Sequence, residues 1–214
     1  MAKQSNLAHR KLVTAAFLVV AAALAAAALG SCCVGKYPIS LQEIGRILTG
    51  GEVEEMTRRV FWNLRLSRTA MAVLSGAGLG LSGAVYQIIF KNPLASPDII
   101  GISSGANLGA AVAIVAVSGA MATVATGAFL GGLLAVAMVM LLVRATRSLS
   151  TSTYVLAGII ISAVANAMIM LLKYYADSDS ELAAIEYWTM GSLASVTASK
   201  VLTILPFWLV GFGG

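Results

Sequence analysis

Charged residues are scarce in this chain. Its 214 residues include only 14 Lys and Arg and 9 Asp and Glu, which makes 11% charged, whereas soluble domains are about a quarter charged. Hydrophobic residues make up 59%, and the mean hydropathy is +0.90. This shortage of charge excludes an ordinary soluble domain and predicts a protein embedded in a lipid bilayer.

Histidine and cysteine are nearly absent as well. The single histidine is His9 in the N-terminal tail, and the two cysteines, Cys32 and Cys33, are adjacent. No His, Cys, Asp or Glu residues have the spacing of a metal site, and no basic stripe is interleaved with aromatics as nucleic-acid binding requires. We therefore expect no cofactor, no metal and no nucleic-acid partner.

Apolar windows without charge predict the membrane spans, because a spanning helix needs roughly 20 mostly apolar residues. The windows lack the buried charged group of an intramembrane enzyme or ion-coupled carrier. We predict an all-α, polytopic transmembrane helix bundle, with a break near Ser118 and Gly119. The six predicted spans are residues 12–30, 66–90, 99–117, 120–143, 152–174 and 196–214. The last is still apolar where the sequence stops, so we expect a single transmembrane domain over residues 1–214, truncated at its C-terminus.

A polar segment, PISLQEIGRILTGG, follows the first span. Ser40 and Glu43 have the spacing of a capping box, and the glycine pair marks the end of the element. Leu41, Ile44 and Leu48 share one helical face. The segment predicts a short amphipathic helix at the membrane surface, and an ordinary connecting helix is the preferred interpretation.

A corner rich in proline and glycine, IIFKNPLASPDIIGISSGA, occupies residues 88–106. Asn92 precedes a proline and is therefore expected to end the second span. Ser96 as N-cap and Pro97 at the first helical position are expected to start the next helix. A stiff corner of this kind suits either plain packing or a gate.

Glycines recur at four-residue spacing in several spans, a pattern that lets helix backbones approach closely. The pairs are Gly76 with Gly80, Gly105 with Gly109, and Gly127 with Gly131. They predict a tightly packed bundle.

Three blocks resemble one known family. The blocks are FWNLRLSRTAMAVLSGAGLGLSGAVYQIIFKNPLASPDIIGISSGANLGA (61–110), LSTSTYVLAGI (149–159) and YWTMGSL (187–193). In this order they resemble the FecCD-type permease subunits of iron-siderophore, haem and cobalamin ABC importers, over nearly the whole chain. Ser67 departs from the pattern, which commonly has proline there.

The resemblance implies a subunit of about ten spans in the bacterial plasma (inner) membrane, with a cytoplasmic N-terminus. The basic tail residues Lys3, Arg10 and Lys11 favour the same orientation. Four arginines then fall on or near the outer side, where the positive-inside rule expects few: Arg58, Arg59, Arg65 and Arg68. Either the orientation is the reverse, or a partner outside explains these arginines. The implied partners are a second permease subunit, two cytoplasmic ABC ATPases and an extracytoplasmic substrate-binding protein. ATP is then hydrolysed by the partners, so the chain is no enzyme. The alternative is a truncated membrane fragment with only a structural role.

The resemblance also implies two sites. Arg65 and Arg68 match arginines that receive acidic residues of the binding protein, and anchoring at the membrane interface by snorkelling is the alternative. Five residues match positions of a cytoplasmic gate, for which ordinary helix capping is equally compatible. They are Asn92, Leu94, Ser150, Thr151 and Ser152.

Overall fold

Helices account for almost all of the regular structure. The computed structural model describes residues 2–117 and 120–213, and within them 82% of the chain is helical and no strand is present. The nine α-helices of this part are α1 (Ala2–Cys33), α2 (Leu41–Thr49), α3 (Glu55–Val60), α4 (Ser67–Phe90), α5 (Ile102–Ala116), α6 (Met121–Thr146), α7 (Thr151–Tyr175), α8 (Glu181–Met190) and α9 (Ala198–Gly213). The prediction of an all-α polytopic membrane protein is confirmed.

Four helical segments among the described residues are long and apolar enough to cross a bilayer. They are Arg10–Cys33, Glu55–Phe90, Met121–Thr146 and Thr151–Tyr175. Helix α5 is apolar but has 15 residues, which gives about 22 Å against a hydrocarbon thickness of about 30 Å. Helix α9 occupies the sixth predicted span, and the predicted break near Ser118 and Gly119 lies outside the described residues.

The chain divides into two compact units, and the boundaries fall inside α4 and just before α9. One unit comprises Met1–Gly76 with Leu193–Gly214, and the other comprises Ala77–Ser192. The expectation of one domain over residues 1–214 stays a prediction.

In the first unit, the end of α1, α2 and α3 enclose a small apolar core. Helix α2 begins with the predicted capping box: the Ser40 hydroxyl accepts from the backbone N–H of Glu43 at 3.2 Å, and the Glu43 carboxylate accepts from the backbone N–H of Ser40 at 2.7 Å. That backbone hydrogen bond is the main cause of the lowered pKa of Glu43. The helix ends at Gly50, whose φ of 78° is left-handed.

The protein core covers only part of the apolar surface of α2. Ile44 and Ile47 are buried, whereas Leu41 and Leu48 are 66% and 64% exposed. The reason is tertiary, because Ile44 and Ile47 pack in one core cluster with Phe61 of the segment after α3. Of the stripe predicted through Leu41, Ile44 and Leu48, the protein core takes up only Ile44, and a location of the two exposed leucines at the membrane surface stays a prediction.

In the second unit, α5 and α6 pack backbone against backbone. A Cβ at Gly109 would lie 2.1 Å from the carbonyl oxygen of Gly127, and one at Gly131 would lie 2.3 Å from that of Gly105. The prediction of close packing is confirmed for these two pairs. No described atom lies within 4 Å of a Cβ built at Gly76 or Gly80, so neither makes such a contact here.

Candidate docking and gating sites

Arg65 lies on a wide helical turn, the π-helical segment Phe61–Leu66 between α3 and α4. Turns of this kind occur frequently at functional sites. Ser67 follows and is only 4% exposed; its hydroxyl donates to the carbonyl of Trp62 at 2.8 Å, and its backbone N–H donates to Leu64. Where the resemblance expects proline, the serine thus supplies two hydrogen bonds to carbonyls of the wide turn.

The Arg65 guanidinium is held by the loop after α1. Its Nη1 donates to the carbonyl of Val34 and its Nη2 donates to that of Tyr37 at 3.2 Å. The side chain is half-buried and lies over Gly35, where a Cβ would be 1.8 Å from Nη2. Sequence reasoning missed this contact; the glycine inside the short polar loop was the only local signal.

Arg68 holds a second backbone segment. Its Nη2 donates to the carbonyl of Ala194 at 2.5 Å, and its Nε is buried with no hydrogen-bond partner among the described residues. Arg65 and Arg68 are thus both half-buried, and each contacts neutral carbonyls far away in sequence. Because a carbonyl does not neutralise a guanidinium, both positive charges persist. Docking and interfacial anchoring both stay predictions.

The five predicted gate residues divide into two groups in the structure. Asn92 and Thr151 line the same small cleft, together with Phe90 and Tyr154, whose rings meet edge to face at 5.6 Å between centroids. Leu94 does not line the cleft and is 81% exposed. The structure therefore brings one residue of each predicted gate segment together.

The two other predicted gate residues, Ser150 and Ser152, are exposed and outside the cleft lining. Ser150 is the N-cap of α7, and its hydroxyl accepts from the backbone N–H of Thr153 at 3.2 Å. Asn92 also makes a local turn bond, accepting from the N–H of Leu94 at 2.9 Å. Helix capping, the alternative interpretation, is thus correct for Ser150, and a gating role stays a prediction.

The proline corner is built differently from its prediction. Pro97 opens a 3₁₀ turn, Pro97–Ile100, that ends at Gly101 with a left-handed φ of 77°, and α5 starts only at Ile102. Ser96 is at the N-cap position but makes no side-chain cap bond in the structure described. The helix that was predicted to start at Pro97 is therefore only a single 3₁₀ turn there, and α5 begins separately at Ile102.

Packing against α7 explains this break. A Cβ at Gly101 would lie 2.8 Å from the hydroxyl oxygen of Ser162, and one at Gly158 would lie 2.0 Å from the carbonyl oxygen of Ile99. The corner backbone and α7 are thus in direct contact, which requires glycine on both sides. Sequence reasoning did not identify Gly158 as part of this corner.

The model of the FecCD transport family matches residues 10–213. The chain belongs to this family. The FecCD chain is 36% identical over 181 residues to the molybdate import system permease protein MolB of Haemophilus influenzae, covering 82% of this chain and 53% of MolB. It is 39% identical over 136 residues to the vitamin B12 import system permease protein BtuC of Salmonella paratyphi A. This match covers 63% of this chain and 41% of BtuC.

A solved structure shares the fold of this FecCD chain. It is an inward-facing conformation of a transporter assigned to the metal-chelate type of ABC transporters, with a TM-score of 0.73, 33% sequence identity, and coverage of 87% of this chain and 56% of that one. The chain spans about half the length of the relatives that it matches. The family resemblance inferred from the three sequence blocks is confirmed.

Proposed function

We propose that this FecCD chain is part of the membrane-spanning permease of an ABC importer and forms part of its translocation pathway. The family match over residues 10–213 carries the proposal, and relatives named as permeases of vitamin B12 and molybdate import systems support it. In this role the chain itself is no enzyme. A second permease subunit completes the pathway, and two separate ATPase subunits supply the energy.

The proposed location is the plasma (inner) membrane, with the N-terminus in the cytoplasm. The four long apolar segments support the membrane location. The basic residues Lys3, Arg10 and Lys11 support the orientation, because positive charge is retained on the cytoplasmic side. The loop between α7 and α8 then faces outward, and the loop between α6 and α7 faces the cytoplasm.

The proposed docking site for the substrate-binding protein contains Arg65 and Arg68. A guanidinium pairs with a carboxylate through two parallel hydrogen bonds, and its charge steers an acidic partner from a distance. The cleft that contains Asn92 and Thr151 is the proposed cytoplasmic gate. Its walls combine an amide and a hydroxyl with two aromatic rings, which is compatible with a closable constriction.

The proposed substrate is a bulky metal chelate: a ferric siderophore, haem or cobalamin. The BtuC relative and the metal-chelate neighbour support this class. Molybdate is the second candidate, supported by MolB, which matches a larger share of the chain. Titrating the cognate binding protein with each of the four compounds distinguishes them, and we expect binding of a chelate. Binding of molybdate alone would replace the first candidate with the second.

The docking role is tested in the full-length protein, reconstituted in nanodiscs with the cognate binding protein. Reversing both charges, Arg65→Glu with Arg68→Glu, places like charges against an acidic partner. We expect slower association, with the loss greater at low than at high ionic strength because salt screens the repulsion.

The matched control is Arg58→Glu with Arg59→Glu, on the exposed face of α3, which changes the net charge by the same amount. We expect a smaller effect for this pair. Equal losses of association rate for both pairs would indicate that the overall electrostatic field of the protein attracts the partner, rather than a specific docking site. Unchanged association of the Arg65 and Arg68 variant at low salt would leave those arginines with an anchoring role only.

A further inference from the structure

The loop that follows α1 is closed by its own backbone and clamped from outside. The backbone N–H of Val34 donates to Gly30 at 3.0 Å, and that of Ile39 donates to Cys33 at 3.1 Å across the loop. Between these bonds, residues 34–37 form the segment that we call the 34–37 loop. Two of its carbonyls accept from the guanidinium of Arg65.

Gly35 is the residue that makes this clamp sterically possible. A Cβ at this position would lie 1.8 Å from Nη2, 2.0 Å from Nη1 and 2.2 Å from Cζ of Arg65. No non-bonded heavy atoms approach so closely, so any side chain at Gly35 has to displace the guanidinium plane. The displaced group moves away from the carbonyls of Val34 and Tyr37, while its charge stays on the molecule.

The clamp restricts both the Arg65 guanidinium and the 34–37 loop. A planar guanidinium is pre-organised for bidentate contacts, and holding it in one orientation lowers the ordering cost of a further contact. The two carbonyl bonds use two of its five N–H groups. In return, a charge-assisted bond at each end of the 34–37 loop restricts the backbone between them.

We propose that Gly35 is a positioning residue that acts through Arg65: by lacking a side chain, it lets the guanidinium clamp the 34–37 loop in a fixed orientation for docking. The docking consequence rests on the proposed function, whereas the ordering of the loop does not. The two parts are therefore measured separately, on the same full-length protein in nanodiscs.

The first measurement is hydrogen exchange of a peptide that covers residues 33–40 and includes the Ile39 amide. We expect Gly35→Ala to speed this exchange by at least about tenfold, which is the effect of losing even one hydrogen bond to a charged group. Arg65→Lys keeps the charge but lacks the planar fork, and we expect the same increase. The matched control is Gly30→Ala near the end of α1, where a Cβ meets no described atom within 4 Å, and its exchange should equal that of the unchanged protein.

A double-mutant cycle tests whether Gly35 acts through the arginine. If it does, Gly35→Ala speeds the exchange less in an Arg65→Gln background than in the unchanged protein, and the remaining increase reflects the strain of a side chain at the Gly35 φ of 158°. An equal increase in both backgrounds, or no increase from Gly35→Ala alone, overturns the proposal. The thermal midpoint of each variant shows whether the fold is retained. Loss of the clamp alone should leave this midpoint unchanged and should speed hydrogen exchange only in the 33–40 peptide.

The second measurement is the kinetics of binding-protein docking. Gly35→Ala leaves the charge in place, so we expect faster dissociation with an unchanged salt dependence of association, whereas Arg65→Gln should reduce that salt dependence. A glycine with only a structural role would not speed dissociation of the binding protein while leaving the salt dependence of association unchanged. Faster loop exchange without any change in docking supports the clamp and contradicts the docking role of Arg65.

Discussion

The contact between α5 and α6 yields a quantitative prediction, because two adjacent glycines of α6 meet very different surroundings. A Cβ at Gly131 would lie 2.3 Å from the carbonyl oxygen of Gly105, whereas one at Gly132 would lie 3.5 Å from the nearest atom, a methyl carbon of Ile102. Both glycines are helical, so alanine brings the same intrinsic helix gain of about 1 kcal/mol at each position. The difference between the two variants therefore isolates the packing at Gly131.

The magnitude follows from the distances. An ordinary contact begins near 3.4 Å, so Gly131→Ala requires the two helix backbones to separate by about 1.1 Å. Overpacking of this kind costs about 1–3 kcal/mol, and a backbone carbonyl is unable to rotate away as a side chain does. In membranes the loss is not offset by hydrophobic attraction, because close packing is itself the main attraction between such helices.

The assay is the thermal midpoint of this protein in nanodiscs, measured for both variants in parallel. At about 2–4 °C per kcal/mol for a chain of this length, Gly131→Ala should unfold about 2–12 °C below Gly132→Ala. Gly132→Ala should match or slightly exceed the unchanged protein. Equal midpoints for the two variants would refute the reasoning, because they would show that α5 and α6 are not packed backbone against backbone.

Two further predictions concern topology and capping. In a background without the native cysteines, Ser178→Cys should react with an impermeant thiol reagent added to intact cells and Ser148→Cys should not; the reverse pattern contradicts the proposed orientation. These positions flank α7, whose 25 residues span about 38 Å, so they face opposite sides of the membrane in either orientation. Ser150→Ala removes the N-cap of α7 and should cost about 0.5–2 kcal/mol of stability, whereas Ser152→Ala, at an exposed position inside the helix, should cost almost nothing. Equal thermal midpoints for these two alanine variants would show that the cap bond adds nothing.

Several structural features were predictable because they depend on residues close in sequence. The capping box of Ser40 and Glu43 is one, since the N-cap bonds involve groups three residues apart. The end of α4 before Asn92 is another, because proline restricts the residue that precedes it. The four-residue glycine spacing correctly indicated close packing of α5 and α6, although not the partner of each glycine.

The candidate sites were less predictable. Motif position singled out Arg65 but said nothing of Val34 or Tyr37, which are 31 and 28 residues away in sequence. It also placed Ser150 and Thr151 together in one gate, whereas the structure has Thr151 lining the cleft and Ser150 capping α7. Neighbouring helical residues point in different directions, so adjacency in sequence does not decide which of them share a cleft.

The sequence by itself determined the membrane class, the helical architecture, the family and several helix ends, such as both ends of α2 and of α4. These depend on composition, hydrophobic periodicity and local bonding, all of which can be read from neighbouring residues. Only the tertiary structure decided that α2 buries Ile44 and Ile47, that α5 starts after a left-handed Gly101, and that Arg65 lies over Gly35. Each of these depends on atoms brought close by the fold from distant parts of the chain, and the energy of such contacts is set by separations of a few tenths of an ångström that no local pattern encodes.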